Sequence, residues 1–495
     1  MEFERSRLII AAMRGGAGKT VISVGLAAAW KRRLGLRIVA FKKGPDYIDS
    51  GWLSAVSGRP CYNLDPFLMG PDQILRSFVM RSTSADGSLI EGNRGLYDGI
   101  DSDGSYSTAT LAKLLKSPVV LIVDAAKMTR TAAAMVLGCQ RLDPEVNIAG
   151  VILNQVAGKR HELVLRESIE KTCRVPVLGV VPKQIRNFFP ERHLGLVPPD
   201  EAEGLREALS LGASEIARRL DIEALWKLAS SAPPLVCPSG LMEDSGRDLG
   251  PGAAKAVKIG IIRDSAFQFY YPENLEALEG RGASLVWISS LVNARLPEVD
   301  ALYIGGGFPE THLEKLASND LFRDSVKAAI EAGLPVYAEC GGLMFLCRAI
   351  RHRGILYPMV GVFPYEITLG TRPQGHGYTV MECVSPNPFF PEGTVFRGHE
   401  FHYSAVADPP DPRRYPFVFR LKKGHGVAAG WDGLRHKNVL ALYSHLHAAG
   451  SETWADAVIR SAGSHRLLKT VLSSDPVPEC IRTGSPSFLS SVEGG

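Results

Sequence analysis

The first part of the chain alternates short apolar runs with stretches of helical pattern. Runs of Val, Ile and Leu without polar alternation predict strands at 8–13, 37–41, 88–90, 119–123, 148–153 and 177–181. Strands of this kind occur in parallel sheets that are covered on both faces. Helical patterns such as 21–31 and 108–115 lie between them. The alternation predicts a doubly wound α/β domain over residues 1–195.

The pattern changes after residue 195. Residues 201–229 have a helical pattern, whereas residues 231–256 are rich in Pro, Gly and Ser, which is typical of a linker. A second α/β pattern follows, with predicted strands at 257–262, 284–288, 301–304, 334–338 and 439–443. We therefore expect a helical segment and linker over 196–256, a second α/β domain over 257–452 and a C-terminal tail over 453–495, which is polar from about residue 473.

Composition narrows the class of protein. Apolar residues make up 45% of the 495 residues, charged residues 22%, and the net charge is only +4. This balance is that of a soluble globular protein and does not favour nucleic-acid binding. The eight cysteines form no C-x-x-C pair, and no apolar stretch approaches the ~20 residues of a membrane helix. We expect a cytoplasmic protein without a nucleic-acid or membrane partner.

A glycine-rich loop follows the first predicted strand and precedes a helix. It reads RGGAGKT and contains Gly15, Gly16, Gly18, Lys19 and Thr20. Backbone N–H groups of such a loop bind phosphates, its lysine reaches the terminal phosphates, and its threonine hydroxyl binds Mg²⁺. The loop predicts a nucleotide site. Arg14 stands where some dimeric ATPases carry a lysine that acts across the dimer, so a homodimer and an ordinary surface arginine are both open.

Polar residues follow several predicted strands at the edge where the glycine-rich loop lies. Asp46 and Glu91 come after the second and third strands, and the carboxyl ends of parallel strands deliver functional residues to one edge of a sheet. Because Mg²⁺ prefers oxygen ligands, we predict that both join Thr20 in a magnesium site; the alternative is helix capping. Asn154 is predicted to bind the adenine edge, with a turn residue as the alternative.

Cysteine, histidine and glycine mark a second candidate site in the later domain. Cys340 lies in ECGG directly after strand 334–338, which is the pattern of a nucleophile elbow with cysteine in place of serine. His445 and His447 follow the last strand; we predict His445 as the general base and His447 as the group that orients it. Gly306 and Gly307 lie in GGGFPE and are predicted to donate N–H groups to an oxyanion, unless this is an ordinary tight loop.

These motifs together resemble the family of cobyrinate a,c-diamide synthases. In the first half the resemblance lies in FKKGPDYID, NLD, EGNRGLYDG, ILN and ERHLGL, and in the second half in RDSAFQFYYPENLEAL, GGGFPE, YAECGGLMFL and GHEFHYS. It implies a P-loop domain similar to dethiobiotin synthetase, followed by a flavodoxin-like class I glutamine amidotransferase domain. In such amidotransferases a glutamate stands two residues after the late histidine, where this chain has His447.

The resemblance implies a ligase that uses ATP, Mg²⁺ and glutamine. ATP would convert peripheral a and c acetates of a tetrapyrrole polycarboxylate such as cobyrinate into acyl phosphates, which ammonia from glutamine then attacks. Asp98 and Tyr47 would contact the substrate. The alternatives are the same chemistry on sirohaem or a metallated sirohydrochlorin, and a regulatory P-loop ATPase with an inactive glutaminase domain.

Two features fall outside the family pattern or leave their role open. The segment LGTRPQGHGY, residues 369–378, differs from the usual sequence, and we predict that Arg372 pairs with a carboxylate of the macrocycle. His399 and His402 stand three residues apart, but no acidic or thiol partner at suitable spacing completes a metal site. We favour structural or substrate contacts for these two histidines.

Overall fold

The structure is a computed structural model that describes residues 2–183, 191–192, 195–196, 211–237 and 257–474. Most of the predicted linker and the end of the predicted tail lie outside the described residues, as does part of the predicted helical segment.

The helices are α1 (Lys19–Arg33), α2 (Ile48–Ser57), α3 (Pro71–Ser82), α4 (Thr108–Leu114), α5 (Arg130–Leu142), α6 (Lys159–Cys173), α7 (Ala213–Ala217), α8 (Ile222–Ser230), α9 (Pro272–Glu279), α10 (Leu313–Ser318), α11 (Asp320–Glu331), α12 (Gly341–Leu346) and α13 (Thr453–Ser474). The strands of the first half are β1 (Glu2–Phe3), β2 (Ser6–Ala12), β3 (Ile38–Lys43), β4 (Tyr62–Leu64), β5 (Gly87–Glu91), β6 (Val119–Asp124), β7 (Ile148–Val156), β8 (Val177–Pro182), β9 (Glu191–Arg192), β10 (Gly195–Leu196) and β11 (Leu235–Val236). Those of the second half are β12 (Lys258–Ile262), β13 (Ser284–Ile288), β14 (Ala301–Ile304), β15 (Val336–Glu339), β16 (Cys347–His352), β17 (Ile355–Pro358), β18 (Phe363–Leu369), β19 (Gly375–Cys383), β20 (Val395–His402), β21 (Ser404–Val406), β22 (Phe419–Lys423), β23 (Trp431–Asp432), β24 (Leu434–His436), β25 (Val439–Leu442) and β26 (His445–Leu446).

The first domain is built on a seven-stranded parallel sheet in the order β4-β3-β5-β2-β6-β7-β8. Alternate residues of its central strands belong to different cores: Leu121 faces one and Ile122 faces the other. Helices therefore cover both faces, which explains why the strands read as unbroken apolar runs. The predicted doubly wound fold is confirmed, because β2 lies in the middle and the strand order reverses around it.

The segment before the predicted linker is part of the first domain. Strand β11 pairs antiparallel with β1, and its Leu235 is buried in the first core. Helix α7 packs on α1 so closely that a Cβ on Gly25 would lie 2.4 Å from Ile216 Cγ2. The chain thus remains packed on the first domain as far as residue 237, beyond our predicted start of the linker at 231, because apolar residues there still find a core.

The second domain has a six-stranded sheet in the order β13-β12-β14-β15-β25-β24, with β24 antiparallel at the edge. Two further sheets, β17-β16-β18-β21 and β23-β22-β19-β20-β26, lie between residues 347 and 446. These two sheets were not predicted from the sequence. Strand β19 shows the reason: buried and partly exposed residues alternate along much of it, so it lacks the unbroken apolar run of a strand in a parallel sheet.

The predicted C-terminal tail requires a correction. Its first part forms helix α13, and Trp454 is fully buried in the core of the second domain. The ring of Trp454 contacts Tyr303 at 5.3 Å and Tyr337 at 5.6 Å between centroids. Arg281 also pairs with Asp456 on the outer side of the helix at 2.6 Å. Aromatic and alanine side chains on one helical face give α13 a surface to bury, so residues 453–474 pack on the second domain and do not belong to a separate tail.

Candidate functional site

The glycine-rich loop joins β2 to α1 and is shaped by two left-handed glycines. Gly16 has φ 70° and Gly18 has φ 91°. A Cβ on Gly18 would lie 2.6 Å from Nδ2 of Asn154, so no side chain fits there. That same Nδ2 donates to the Ala17 carbonyl at 2.9 Å. Asn154 therefore supports the loop from the end of β7, and its predicted adenine contact stays a prediction.

Lys19 is the buried cation of this loop. Its Nζ donates to the Arg94 carbonyl at 2.7 Å, and the side chain makes no ion pair within the described residues. Burial, and then the neighbouring Lys42, lower the pKa of Lys19 to about 8. A buried ammonium without a carboxylate partner is costly. Polyphosphate bound to the loop would supply the missing negative charge.

Acidic side chains from the segment between β3 and α2, from α2 and from β5 meet around Lys42 of β3 beside this loop. Thr20 Oγ1 donates to Glu91 Oε1 at 2.9 Å. Lys42 Nζ lies 2.6 Å from Glu91 Oε1 and 2.6 Å from Asp49 Oδ2, while Asp46 Oδ2 is 4.0 Å from the same nitrogen. Burial, and then Asp49, raise the pKa of Asp46 to about 7. Lys42 and Asp49 were missed by the sequence analysis, although both lie in the FKKGPDYID segment.

The predicted magnesium residues fit a divalent cation by their chemistry. Glu91 Oε2 is buried and has no hydrogen-bond partner, and Thr20 presents its hydroxyl to the same carboxylate. Mg²⁺ in nucleotide sites takes one or two carboxylates together with phosphate oxygens. Within the described ranges no three or more His, Cys, Asp or Glu side chains form a metal cluster. A magnesium site whose remaining ligands are phosphate oxygens does not need a cluster of three protein ligands.

The second candidate site lies at the end of β15. Cys340 adopts φ 47°, the sharp left-handed turn of a nucleophile elbow. A Cβ on Gly342 would lie 2.5 Å from the Ile304 carbonyl oxygen, which explains the small residue after the cysteine. Burial raises the pKa of the Cys340 thiol above its usual range. The thiol is therefore neutral at rest and needs a base to become a nucleophile.

His445 is held beside a carboxylate that the sequence analysis missed. Strands β15 and β25 run parallel with Glu339 opposite Leu442, so Cys340 and the segment leading to His445 leave the sheet side by side. Glu339 Oε2 lies 3.4 Å from His445 Nδ1. Glu339 Oε1 also accepts from Leu446 N at 3.0 Å, which fixes the carboxylate. An acidic residue at the end of an apolar strand was the available signal.

The predicted role of His447 is not supported by its position. His447 Nε2 lies 3.5 Å from Glu273 Oε1, and its ring is 4.6 Å from that of Tyr271. Glu273 Oε1 in turn accepts from Asn63 N of the first domain at 3.1 Å. His447 thus belongs to the domain interface. The group next to Nδ1 of His445 is Glu339, the last residue of β15. The carboxylate beside this histidine thus comes from the strand before Cys340 and not from the position two residues after His445.

The GGG loop packs against His445 and against Gly341, the residue that follows Cys340. A Cβ on Gly306 would lie 2.5 Å from His445 Cε1, and one on Gly307 would lie 2.1 Å from the Ala266 carbonyl oxygen. On the other side, a Cβ on Gly341 would be 3.1 Å from Gly307 N. Only glycine permits this approach. The loop therefore lies beside His445 and beside the residue that follows Cys340, and its predicted oxyanion role stays a prediction.

His399 and His402 make structural contacts. The His402 ring stacks on Tyr443 at 3.8 Å, and its Nδ1 lies 2.7 Å from the Ser404 carbonyl oxygen. The His399 ring stacks on His445 at 4.8 Å, with its Nδ1 3.2 Å from the Tyr271 hydroxyl. We favoured structural or substrate contacts for both residues; His399 also lines the cavity described below, so a substrate contact stays a prediction.

Tyr47 links the two sites. It follows Asp46, and its ring stacks on Phe269 at 5.1 Å with an interplanar angle of 5°. The same ring is 5.4 Å from that of His445. A cavity of about 390 Å³ is lined by Lys19 and Asp46 on one side and by His445 on the other. The glycine-rich loop and the late histidine therefore face a common cavity, which sequence could not show.

The remaining predicted residues lie at the outer surface of this region. Asp98 is exposed, and its Oδ2 accepts from Gly95 N at 2.8 Å. Arg372 is exposed and lines neither this cavity nor the neighbouring one, although residues 374–378 of its segment line the latter. Arg14 forms an ion pair with Asp124 of the same chain. The proposed substrate contact of Arg372 and the homodimer stay predictions.

Comparison with known proteins gives matches to both halves of the chain. A family model for the CobQ/CobB/MinD/ParA nucleotide binding domain matches residues 8–196, and one for the CobB/CobQ-like glutamine amidotransferase domain matches residues 258–453. The cobyrinate a,c-diamide synthase of Magnetococcus marinus is 42% identical, covering 93% of this chain and 98% of the relative. That of Archaeoglobus fulgidus is 39% identical, covering 92% and 97%. That of Listeria monocytogenes serotype 4b is 40% identical, covering 89% and 96%.

One further observation concerns membranes. Among the helices that the structure describes, none combines the length and the apolar character needed to span a bilayer.

Proposed function

The chain belongs to the cobyrinate a,c-diamide synthase family, and we propose that it amidates the a and c carboxylates of cobyrinate, using ATP and ammonia from glutamine. The observation that carries the proposal is the common cavity, which Lys19 of the nucleotide-binding domain and His445 of the amidotransferase domain both line. The resemblance over nearly the full length of the relatives supports the same function.

The glutaminase step uses Cys340, His445 and Glu339. His445 takes the proton from the thiol, and the thiolate attacks the side-chain amide carbon of glutamine. Backbone N–H groups of Gly306 and Gly307 stabilise the oxyanion. The imidazolium then donates its proton to the leaving nitrogen, so that ammonia departs and a thioester remains. Water hydrolyses the thioester to glutamate. Glu339 keeps the His445 ring in the orientation that each proton transfer needs, because it lies next to Nδ1.

The synthetase step joins that ammonia to a carboxylate. A carboxylate oxygen of the acid attacks the terminal phosphorus of ATP, and ADP leaves, which gives an acyl phosphate. Ammonia attacks the acyl carbon, phosphate departs, and the amide remains after loss of a proton. Lys19 neutralises charge on the transferring group. Thr20, Glu91 and Asp46 would hold Mg²⁺, which supplies further charge neutralisation at the phosphates.

The shared cavity gives the two steps a common space. Ammonia released in bulk water at neutral pH would be protonated and would lose its nucleophilicity. Tyr47, Phe269 and Phe308 are among the residues that line the cavity together with Lys19 and His445. Aromatic side chains disfavour water, so we propose that ammonia leaving the His445 side reaches the acyl phosphate through this cavity.

A panel of acids tests the proposal directly. The protein is incubated with ATP, Mg²⁺ and glutamine together with cobyrinate, sirohaem or a metallated sirohydrochlorin, and products are separated by mass spectrometry. We expect cobyrinate to gain two amides. Amidation of a sirohaem-type acid in preference to cobyrinate would show that the proposed substrate is wrong, whereas the proposed reaction would stand. ATP turnover without amidation of any acid would favour the regulatory ATPase and reject the ligase.

Glu339→Gln tests the positioning of the base. Glutamine keeps the size of the side chain but removes the charge that stabilises the His445 imidazolium. We expect glutamine-dependent turnover to fall on the order of 10²-fold, with ammonia-dependent amidation close to that of the unchanged protein. The rate of amide formation is measured with glutamine and with added ammonia under the same conditions. Equal loss with both nitrogen sources would point to a folding defect instead.

A further inference from the structure

A second cavity of about 610 Å³ opens directly from the one between Lys19 and His445. The two are contiguous because they share the residues Pro45, Asp46, Asn93, Arg94, His399 and Phe401. They are two arms of one cleft: the phosphate arm, which contains the glycine-rich loop, and the outer arm, which contains Lys43, Tyr106, Tyr378 and Lys423. A ligand bound in the outer arm would lie next to phosphates bound in the phosphate arm, because Asp46 and Arg94 line both arms.

The outer arm carries a buried lysine that the chemistry above does not use. Lys42 and Lys43 are neighbours on a strand, so their side chains point to opposite faces: Lys42 lines the phosphate arm and Lys43 the outer arm. Lys43 is only 4% exposed. Its Nζ lies 4.0 Å from Asp65 Oδ2 and 3.4 Å from the Tyr378 hydroxyl, and burial lowers the pKa of Lys43.

Asp65 accepts hydrogen bonds from other groups, so its carboxylate does not depend on Lys43 for a partner. Asp65 Oδ1 accepts from Phe67 N at 2.8 Å and Leu68 N at 3.0 Å, and Oδ2 accepts from the Tyr378 hydroxyl at 2.7 Å. A buried ammonium at 4.0 Å from an already bonded carboxylate is poorly compensated. An anionic ligand in the outer arm would compensate it.

Two more cations line the same arm from opposite sides of the domain interface. Arg94 adopts φ 50°, and its carbonyl accepts from Lys19 Nζ at 2.7 Å, which fixes its backbone beside the phosphate arm. Lys423, at the end of β22 in the second domain, lies with Nζ 5.7 Å from the centroid of the Phe67 ring. Neither side chain forms an ion pair within the part of the chain that the structure describes.

We propose that the outer arm binds the macrocycle through carboxylates that are not reacting, with Lys43, Arg94 and Lys423 as their partners. The inference rests on the proposed function, which supplies an acid with several peripheral carboxylates. Cations from both domains hold the acid only when the domains are docked. The reacting carboxylate then lies at the junction of the arms, where it meets the terminal phosphate.

The test compares Lys43→Gln and Lys423→Gln with the control Lys422→Gln. Lys422 is the adjacent residue on β22 and pairs at 2.9 Å with Glu382 outside the cleft. Ammonia replaces glutamine, so that the glutaminase step does not enter the rate. We expect the KM for cobyrinate to rise about tenfold for Lys43→Gln and about threefold for Lys423→Gln, with kcat and the KM for ATP within about twofold. The control should leave all three unchanged.

The outcomes separate the inference from the function. If the unchanged protein does not amidate cobyrinate, the proposed function is rejected. If it does, an unchanged KM for cobyrinate in both variants rejects the outer arm as the macrocycle site. A rise in the KM for ATP instead would place the lysines at the nucleotide and also reject it. If the Lys43→Gln variant does not fold, the KM for cobyrinate of the Lys423→Gln variant, in which an exposed residue is changed, decides the test. In support, raising ionic strength should weaken cobyrinate binding more in the unchanged protein than in Lys423→Gln.

Discussion

Cys340→Ser should abolish glutamine-dependent amidation while amidation with added ammonia continues at nearly the original rate. The hydroxyl of serine is a far weaker nucleophile at this elbow, and removal of such a group lowers turnover by about 10³-fold or more. Ammonia enters after the cysteine has acted, so the acyl phosphate still forms and is still attacked. Cys340 itself does not line the phosphate arm, which leaves the synthetase step undisturbed.

The measurement is the rate of amide formation with each nitrogen source, together with glutamate release. Cys347→Ser is the matched control, because Cys347 is equally buried in the same domain and begins β16, directly after α12. It should keep both activities. Glutamate release at the original rate in Cys340→Ser would mean that another group is the nucleophile and would overturn the assignment of the elbow.

The parts of the fold that sequence predicted are those with a local physical signature. Most strands of the seven-stranded and six-stranded sheets are apolar runs, so their positions could be predicted within a few residues. The short strands β4 and β24 are not such runs and were not predicted. The loop from Gly15 to Thr20 and the cysteine after β15 are likewise set by neighbours in the chain. The strands of the sheets between residues 347 and 446 are partly exposed, and several of them pair with partners far along the chain, so their pattern carries a weaker signal.

The parts of the site that sequence missed are contacts between distant segments. Glu339 was visible as an acidic residue before the cysteine, but its approach to His445 depends on the parallel pairing of β15 with β25. His447 stands where a glutamate was expected, and only the docking of the two domains shows that Glu273 is its neighbour. The common cavity could not be predicted for the same reason, since Lys19 and His445 belong to different domains.

Lys19→Ala should give a pattern that differs from that of Cys340→Ser: loss of amidation with both nitrogen sources, with glutamate release retained in part. Lys19 is a buried ammonium beside the glycine-rich loop, and it has no ion pair within the described residues. Loss of such a charge at the transferring group typically costs about 2–4 kcal/mol of barrier, or about 30-fold to 1,000-fold in rate.

The matched control is Lys31→Ala on the same helix. Lys31 donates to the Ser57 carbonyl at 2.9 Å, far from the glycine-rich loop, so its loss should leave amidation unchanged. Full ammonia-dependent amidation in Lys19→Ala would place the nucleotide elsewhere. Together the two variants separate the half-reactions. Without Cys340 the acid is still activated but glutamine supplies no ammonia. Without Lys19 ammonia is released, but no acyl phosphate awaits it, because the charge that forms on the transferring phosphoryl group is no longer neutralised.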